Sequence, residues 1–189
     1  MRIIAGKHRG LALASVGKGD AGAHLRPTTD RVRESLFNLV QNGGYGDPVS
    51  GARVLDLFAG TGALGLEALS RGAAHVTFVD DGIKARGLIR QNIDKCQAQG
   101  ATKLFRRDAT RLGVNPGAPF DLIFLDPPYG KGLGQRALAA AQDGGWIAPD
   151  ALILWEENAQ QTAPPGLDMC DHRRYGDTHI HILTPISSG

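Results

Sequence analysis

Four residues late in the chain, Asp126-Pro127-Pro128-Tyr129, are of types that can grip a planar base carrying an exocyclic amine. They follow the apolar run Phe120-Asp121-Leu122-Ile123-Phe124-Leu125, which has the length and composition of a buried strand. Two consecutive prolines end that strand and hold the backbone extended, because each locks its own φ and restricts the residue before it. The carboxylate of Asp126, the carbonyl of Pro127 and the ring of Tyr129 then face one small space beyond the strand. An aromatic amine needs two acceptors for its N–H bonds and one face to stack on, and this loop supplies all three. The lone pair of such an amine is delocalised into its ring. Acceptors that draw the nitrogen toward tetrahedral geometry free the pair for attack, and Asp126 is the nearest group to take the released proton. Tyr129 would stack on a base splayed out of a single strand.

Further acids stand at the ends of earlier apolar runs. Residues 54–65 (VLDLFAGTGALG) are an apolar strand, a glycine-rich turn and a helix start. Gly60 and Gly62 let the backbone approach a ligand or take positive φ, and the helix beyond presents free amides. Phe58, Ala59 and Thr61 complete the turn and are cofactor-binding candidates with them. A strand–turn–helix of this kind serves both dinucleotides and S-adenosylmethionine. Asp56 separates the two, since an acid just before the turn repels a pyrophosphate but holds the cationic amino group of a methionine moiety, directly or through water. Asp80 ends the next strand about 20 residues past the glycines, where a ribose diol needs a carboxylate; Asp81 is the adjacent alternative. Asp108, followed by Ala109, ends the third strand, where a carboxylate can accept from an adenine amino group while a backbone amide donates to the ring.

Positioning these groups takes a chain that alternates strand and helix. The pattern predicts strands over 53–57, 75–79, 102–106, 120–125 and 151–155, with helices over 63–71, 83–97 and 134–142. Repeated βα units imply a parallel sheet with helices on both faces, and ligands bind at the C-terminal edge of such sheets. Residues 167–175 and 178–185 flank Gly176-Asp177, a β-hairpin signal. The expected fold is therefore α/β, with a mostly parallel seven-stranded sheet that ends in an antiparallel hairpin. Upstream, Thr29 or Asp30 is an N-cap for an amphipathic helix carrying Val32, Leu36, Leu39 and Val40, and this helix ends near Asn42-Gly43-Gly44. Residues 2–13 suggest a short hairpin or extended arm, and 14–25 a glycine-rich loop. Glu156, at the end of the fifth strand, either lines the site or caps it. His179 and His181 alternate on one face of the last strand and, lacking a third ligand, are expected at the surface; no metal site is signalled.

Among the 189 residues, 42% are hydrophobic and 21% charged, which excludes a disordered chain and suits one compact domain. No apolar run is long enough to span a bilayer, and the N-terminus lacks a signal-peptide stretch. Cys96 and Cys170 have no partner spacing, so a cytoplasmic setting with no membrane contact is expected. The net charge of +2 conceals an asymmetry. Residues 1–40 carry seven Lys/Arg against three acids, a balance of +4, while the remainder carries 14 against 16, or −2. Basic charge gathered at one end suggests a polyanionic partner such as nucleic acid.

These residues resemble a family, the bacterial 16S rRNA guanine-N2 methyltransferases. The likeness runs from Arg2-Ile3-Ile4-Ala5-Gly6 and Arg9-Gly10 through the most family-specific segment, 25–34 (LRPTTDRVRE), to residues 55–68 and Asp126-Pro127-Pro128-Tyr129. The resemblance implies a Rossmann-like class I methyltransferase domain over 29–189, preceded by a basic arm or hairpin at 1–28 that contacts RNA. It implies S-adenosylmethionine as methyl donor, with S-adenosylhomocysteine as product and no metal. The implied substrate is a hairpin-loop guanine, presented in 16S rRNA or in a small-subunit assembly intermediate. Arg2, Lys7, Arg9, Arg26, Arg31 and Arg33 are the RNA-contact candidates, with Arg31 able instead to pair with Asp30 or Glu34. Thr28, Thr29 and Arg31 could also close over the methionine end of the cofactor. His8 stands where family members commonly carry an aromatic residue. A monomer is the default. The rivals are an amino-methyltransferase acting on adenine or cytosine of DNA or another RNA, a nicotinamide oxidoreductase, and a non-catalytic RNA-binding assembly factor.

Overall fold

The computed structural model describes residues 1–16 and 28–187; the expected loop at 14–25 therefore lies largely outside the described residues, as does Arg26. The strands that read as continuous apolar runs are the ones buried on both faces, as in parallel sheets covered on both sides. Strand β1 (Arg53–Leu57) lies between β2 (His75–Val79) and β4 (Phe120–Leu125), in parallel register with both. Strand β3 (Thr102–Phe105) extends the sheet beyond β2, and β5 (Ile147–Glu157) extends it beyond β4. Strands β6 (Leu167–Tyr175) and β7 (Thr178–Pro185) close it as the expected antiparallel hairpin, with Tyr175 opposite Thr178 and Gly176 at φ 61° in the turn. The order is β3-β2-β1-β4-β5-β7-β6, the strand plan of a class I methyltransferase.

Because side chains alternate along a strand, the sheet separates two cores. Val54, Phe78, Phe124, Leu154 and Ile182 point to one face, where α1 (Asp30–Asn42), α2 (Ala63–Ser70) and α3 (Ile83–Lys95) bury Phe37, Leu66 and Ile89. Leu55, Ile123, Leu125, Trp155 and Leu183 point to the other, under Ala137, Leu138 and Ala141 of α4 (Leu133–Asp143). Each large apolar side chain removed from water in this way stabilises the fold by about 1.5–3 kcal/mol. Element ends differ from the expectation by a residue or two, except at β5. That strand begins at Ile147 rather than 151, because the register shift between Phe120 and Leu122 accommodates Pro149, which cannot donate to a ladder.

The N-terminal residues form the expected hairpin, bridged at Arg2 and Ala12, and it is docked rather than free. Ile3 and Leu13 are buried in the same core as α1 and α2. The carboxylate of Glu67, inside α2, accepts from the amides of Ile4 (2.8 Å) and Ala5 (3.1 Å), and the Ser70 hydroxyl donates to the Ala5 carbonyl. A Cβ at Gly6 would sit 1.9 Å from the Ser70 carbonyl oxygen, and φ there is +85°, so only glycine permits this approach.

Candidate active site

The β1–α2 turn is built by backbone that most residues avoid. Gly60 and Gly62 take φ 62° and 79°, and Phe58, which is not glycine, takes φ 55°. Strain of this kind persists where the surroundings impose it, commonly at ligand sites. Asp80 supplies part of that imposition. Its Oδ2 accepts from the Gly60 amide at 3.0 Å and its Oδ1 from the Gly82 amide at 2.9 Å, tying the ends of β1 and β2 together. Asp81, the adjacent alternative, is exposed and also lines the cavity. Asp56 is buried beneath the turn, with Oδ2 accepting from Gly65 N at 3.0 Å. Gly65 makes that contact possible: a Cβ there would meet Phe78 at 2.6 Å and Val76 at 2.7 Å.

Burial pushes the Asp56 carboxyl up to about 8; the Gly65 amide opposes the shift and the neighbouring Asp80 charge adds to it. Burial also raises Asp80, against the pull of the Gly82 and Gly60 amides. Asp108 is the opposite case. It is exposed and caps a short 3-10 turn over Ala109–Arg111, and hydrogen bonds from the Thr110 hydroxyl and amide to its Oδ1 hold it below the usual carboxylate range.

At the end of β4, Asp126 is half-buried and Pro127 buried. The Thr28 hydroxyl donates to Asp126 Oδ2 at 3.0 Å. Tyr129 turns toward β5, where its hydroxyl donates to Glu156 Oε1 at 3.2 Å. Glu156 therefore anchors the tyrosine rather than lining the site. One cavity of about 560 Å³ brings together Asp56, Phe58, Ala59, Gly60, Thr61, Asp80, Asp108, Ala109, Asp126, Pro127 and Pro128; Gly62 and Tyr129 lie outside its lining. That volume falls within the range of about 300–1,000 Å³ usual for small-molecule sites.

Other lining residues were not singled out from sequence, among them Val16, Ile83, Lys84, Arg107, Lys131 and Leu133. Ile83 carried a readable signal. It is 81% exposed at the start of α3, out of phase with the buried positions Ala85, Arg86, Ile89 and Ile93. Val16 is brought in by the buried side chain of Asn92, which bonds both amide and carbonyl of Ala14 and donates to the Thr61 carbonyl at 2.8 Å.

Two expectations are corrected. Arg33 does not face a polyanion, for its side chain is fully buried on the α1 stripe shared with Leu36, Phe37 and Val40. Its guanidinium meets Glu67 Oε1 at 3.4 Å, Asp30 Oδ1 at 2.9 Å and the Arg2 carbonyl. A buried carboxylate such as Glu67 requires a cationic partner, and Arg33 is positioned to be one. Arg31 is exposed, and it is Arg33, not Arg31, that pairs with Asp30. His181 is likewise no surface residue. It is fully buried, accepts from the Gln161 amide at Nε2 (2.9 Å), bonds the Trp155 carbonyl through Nδ1 and lies between its cross-strand neighbours Trp155 and His172. Arg2, Lys7 and Arg9 are exposed on the docked hairpin.

Among the described residues, no group of three or more His, Cys, Asp and Glu is placed to hold a metal ion, and no helix is long and apolar enough to cross a membrane.

A family model described as Conserved hypothetical protein 95 matches residues 1–184. The chain is 38% identical over 165 residues to Ribosomal RNA small subunit methyltransferase D of Escherichia coli (strain K12), covering 87% of this chain and 78% of that one. It is 37% identical over 188 residues to YlbH of Bacillus subtilis (strain 168), covering 96% and 97%. The solved structure of yhhF from Escherichia coli superposes with a TM-score of 0.81 at 34% identity, over 98% of this chain and 97% of that one.

Proposed function

The chain belongs to the Conserved hypothetical protein 95 family, that of the small-subunit rRNA methyltransferases, and from that premise we propose that it uses S-adenosylmethionine to methylate the exocyclic N2 amine of a hairpin-loop guanine in 16S rRNA. The observation that carries this reading is the single cavity shared by Asp56, Asp80 and Asp108 with Asp126, Pro127 and Pro128. Acids suited to one ligand and acceptors suited to another thus open into one space.

The lining residues suit S-adenosylmethionine. Among the described residues no cation faces the buried Asp56 carboxyl, and the amino group of the methionine moiety would provide one. Asp80 has both oxygens fixed by backbone amides yet keeps lone pairs for two ribose hydroxyls. Ile83 and Phe58 offer apolar surface to the adenine, and Asp108 an acceptor for its amino group. When bound, S-adenosylmethionine supplies a methyl group on a sulfonium centre. The chain's own work is then positioning, worth several kcal/mol of barrier in a well-oriented site. Asp126 and the Pro127 carbonyl accept the two amine N–H bonds, and Asp126 takes the proton the nitrogen sheds. Tyr129, anchored through Glu156, stacks on the base. Arg2, Lys7, Arg9 and Arg31 meet the phosphates, with residues 1–28 as the RNA-contacting part of a monomer that works in the cytoplasm.

The test is to incubate the protein and radiolabelled S-adenosylmethionine with unmodified small ribosomal subunits, naked 16S rRNA and duplex DNA, then digest to nucleosides. Label in N2-methylguanosine from rRNA or subunits is expected. Label in a DNA base, or at another position of guanosine, overturns the reading.

A further inference from the structure

The hydrogen bond between Thr28 and Asp126 joins residues 98 apart in the chain, and no part of the proposed reaction has used it. We infer that Thr28 is a positioning residue for methyl transfer: its hydroxyl fixes the plane of the Asp126 carboxylate so that the other oxygen faces the incoming amine. The inference rests on the reading of Asp126 as the amine acceptor.

Two features of Thr28 suit it to this role. A carboxylate is planar, so holding Oδ2 through the Thr28 Oγ–H at 3.0 Å sets the direction in which the remaining lone pairs point. A threonine hydroxyl has a single proton, and giving it to Asp126 defines the carboxylate as acceptor on that side. Thr28 also lines the cavity, so the bond is made at the site itself.

Thr28 is in turn tied to the body of the fold through α1. The next residue, Thr29, is the N-cap of α1, accepting from Val32 N at 3.2 Å. One turn later Arg33 joins α1 to Glu67 of α2, the helix that begins at the glycine turn. A series of contacts therefore runs from the turn beneath the cofactor site, through buried Glu67 and Arg33 and the Arg33 amide on the Thr29 carbonyl (3.0 Å), to Thr28 and the carboxylate of Asp126. β-Branching stiffens the rotamer that makes the last contact.

Thr28→Val keeps the shape and removes the hydroxyl; Thr28→Ser keeps the hydroxyl and removes the methyl group. With small subunits or 16S rRNA as substrate, Thr28→Val is expected to lower kcat by about tenfold to a hundredfold, the worth of one hydrogen bond to a charged group. The KM for RNA and the Kd for S-adenosylmethionine stay within about twofold, and Thr28→Ser recovers kcat to within about threefold. The inference is overturned if Thr28→Val turns over at the wild-type rate. It is equally overturned if Thr28→Ser is as impaired as Thr28→Val, or if the loss appears in cofactor Kd or in Tm rather than in kcat. Wild-type protein that binds S-adenosylmethionine but labels no RNA would instead overturn the functional reading, and this inference with it.

Discussion

The two halves of the cavity are held in different ways. On the cofactor side the acids are fixed by groups close in sequence: Asp80 by Gly82 and Gly60, Asp56 by Gly65 and Asp108 by Thr110, at separations of 2, 20, 9 and 2 residues. On the acceptor side the supports come from far away, with Thr28 bonded to Asp126 across 98 residues and Tyr129 to Glu156 across 27. The first half is held largely by backbone amides within a strand–turn–helix unit or, at Asp80–Gly60, between two adjacent ones. The second half exists only when α1, β4 and β5 have assembled. One half is set mainly by backbone at the strand ends, and the other by side chains that tertiary packing brings together.

The largest effect expected from breaking this division lies between the halves, at Glu67. Its carboxylate binds Arg33, Arg71 and the amides of Ile4 and Ala5. Glu67→Gln removes the buried counter-charge of Arg33, leaving it only the half-exposed Asp30, and should cost about 3–5 kcal/mol of stability, read by urea unfolding. Refolded variant should still bind S-adenosylmethionine under stabilising conditions, since no cavity group is removed. A variant as stable as wild type would show that the buried pair does not join the halves.

Next in size is Asp56→Asn, which removes the carboxyl that ionises against the cofactor's cation. It should weaken S-adenosylmethionine by about 30-fold to a hundredfold in calorimetry, the worth of a charge-assisted contact. The same residue gives the smallest and sharpest effect, a pH dependence. Burial raises the folded Asp56 from 3.8 to about 8, so the unfolded chain ionises first and stability falls as pH rises across that window. Cofactor binding has the opposite sign, because the ionised form is the one that meets a cation. Affinity should strengthen by up to about tenfold per pH unit from pH 6 toward 8, then level off, and the slope should vanish in Asp56→Asn. A flat profile in wild type would contradict a direct or water-bridged role for this carboxylate.

The same contrast explains what the sequence made legible. Apolar runs, glycine turns and acids at strand ends are local patterns, so the sheet, its terminal hairpin and the cofactor-side residues could be read from them. Arg33 was misjudged because charge along a helix was read as surface, whereas its position on the Leu36–Phe37–Val40 stripe decided its burial. His181 differs for a similar reason: alternation gives the face, but only the tertiary placement of Trp155, His172 and the Gln161 backbone against the ring buries it. Thr28 was expected only as a residue that could close over the methionine end of the cofactor, since no spacing rule ties it to a residue 98 positions on. Ile83 alone of the missed lining residues broke the periodicity of its own helix and could have been found.

The most direct test of the account is one preparation of Asp126→Ala, measured for S-adenosylmethionine binding by calorimetry and for methyl transfer to small subunits or 16S rRNA. Because Asp126 belongs to the acceptor half, binding should stay within about twofold of wild type while turnover falls by about 10²–10⁴. Turnover above about a tenth of wild type, or cofactor affinity lost in parallel with it, would contradict the division of the cavity into a half that holds the cofactor and a half that receives the amine.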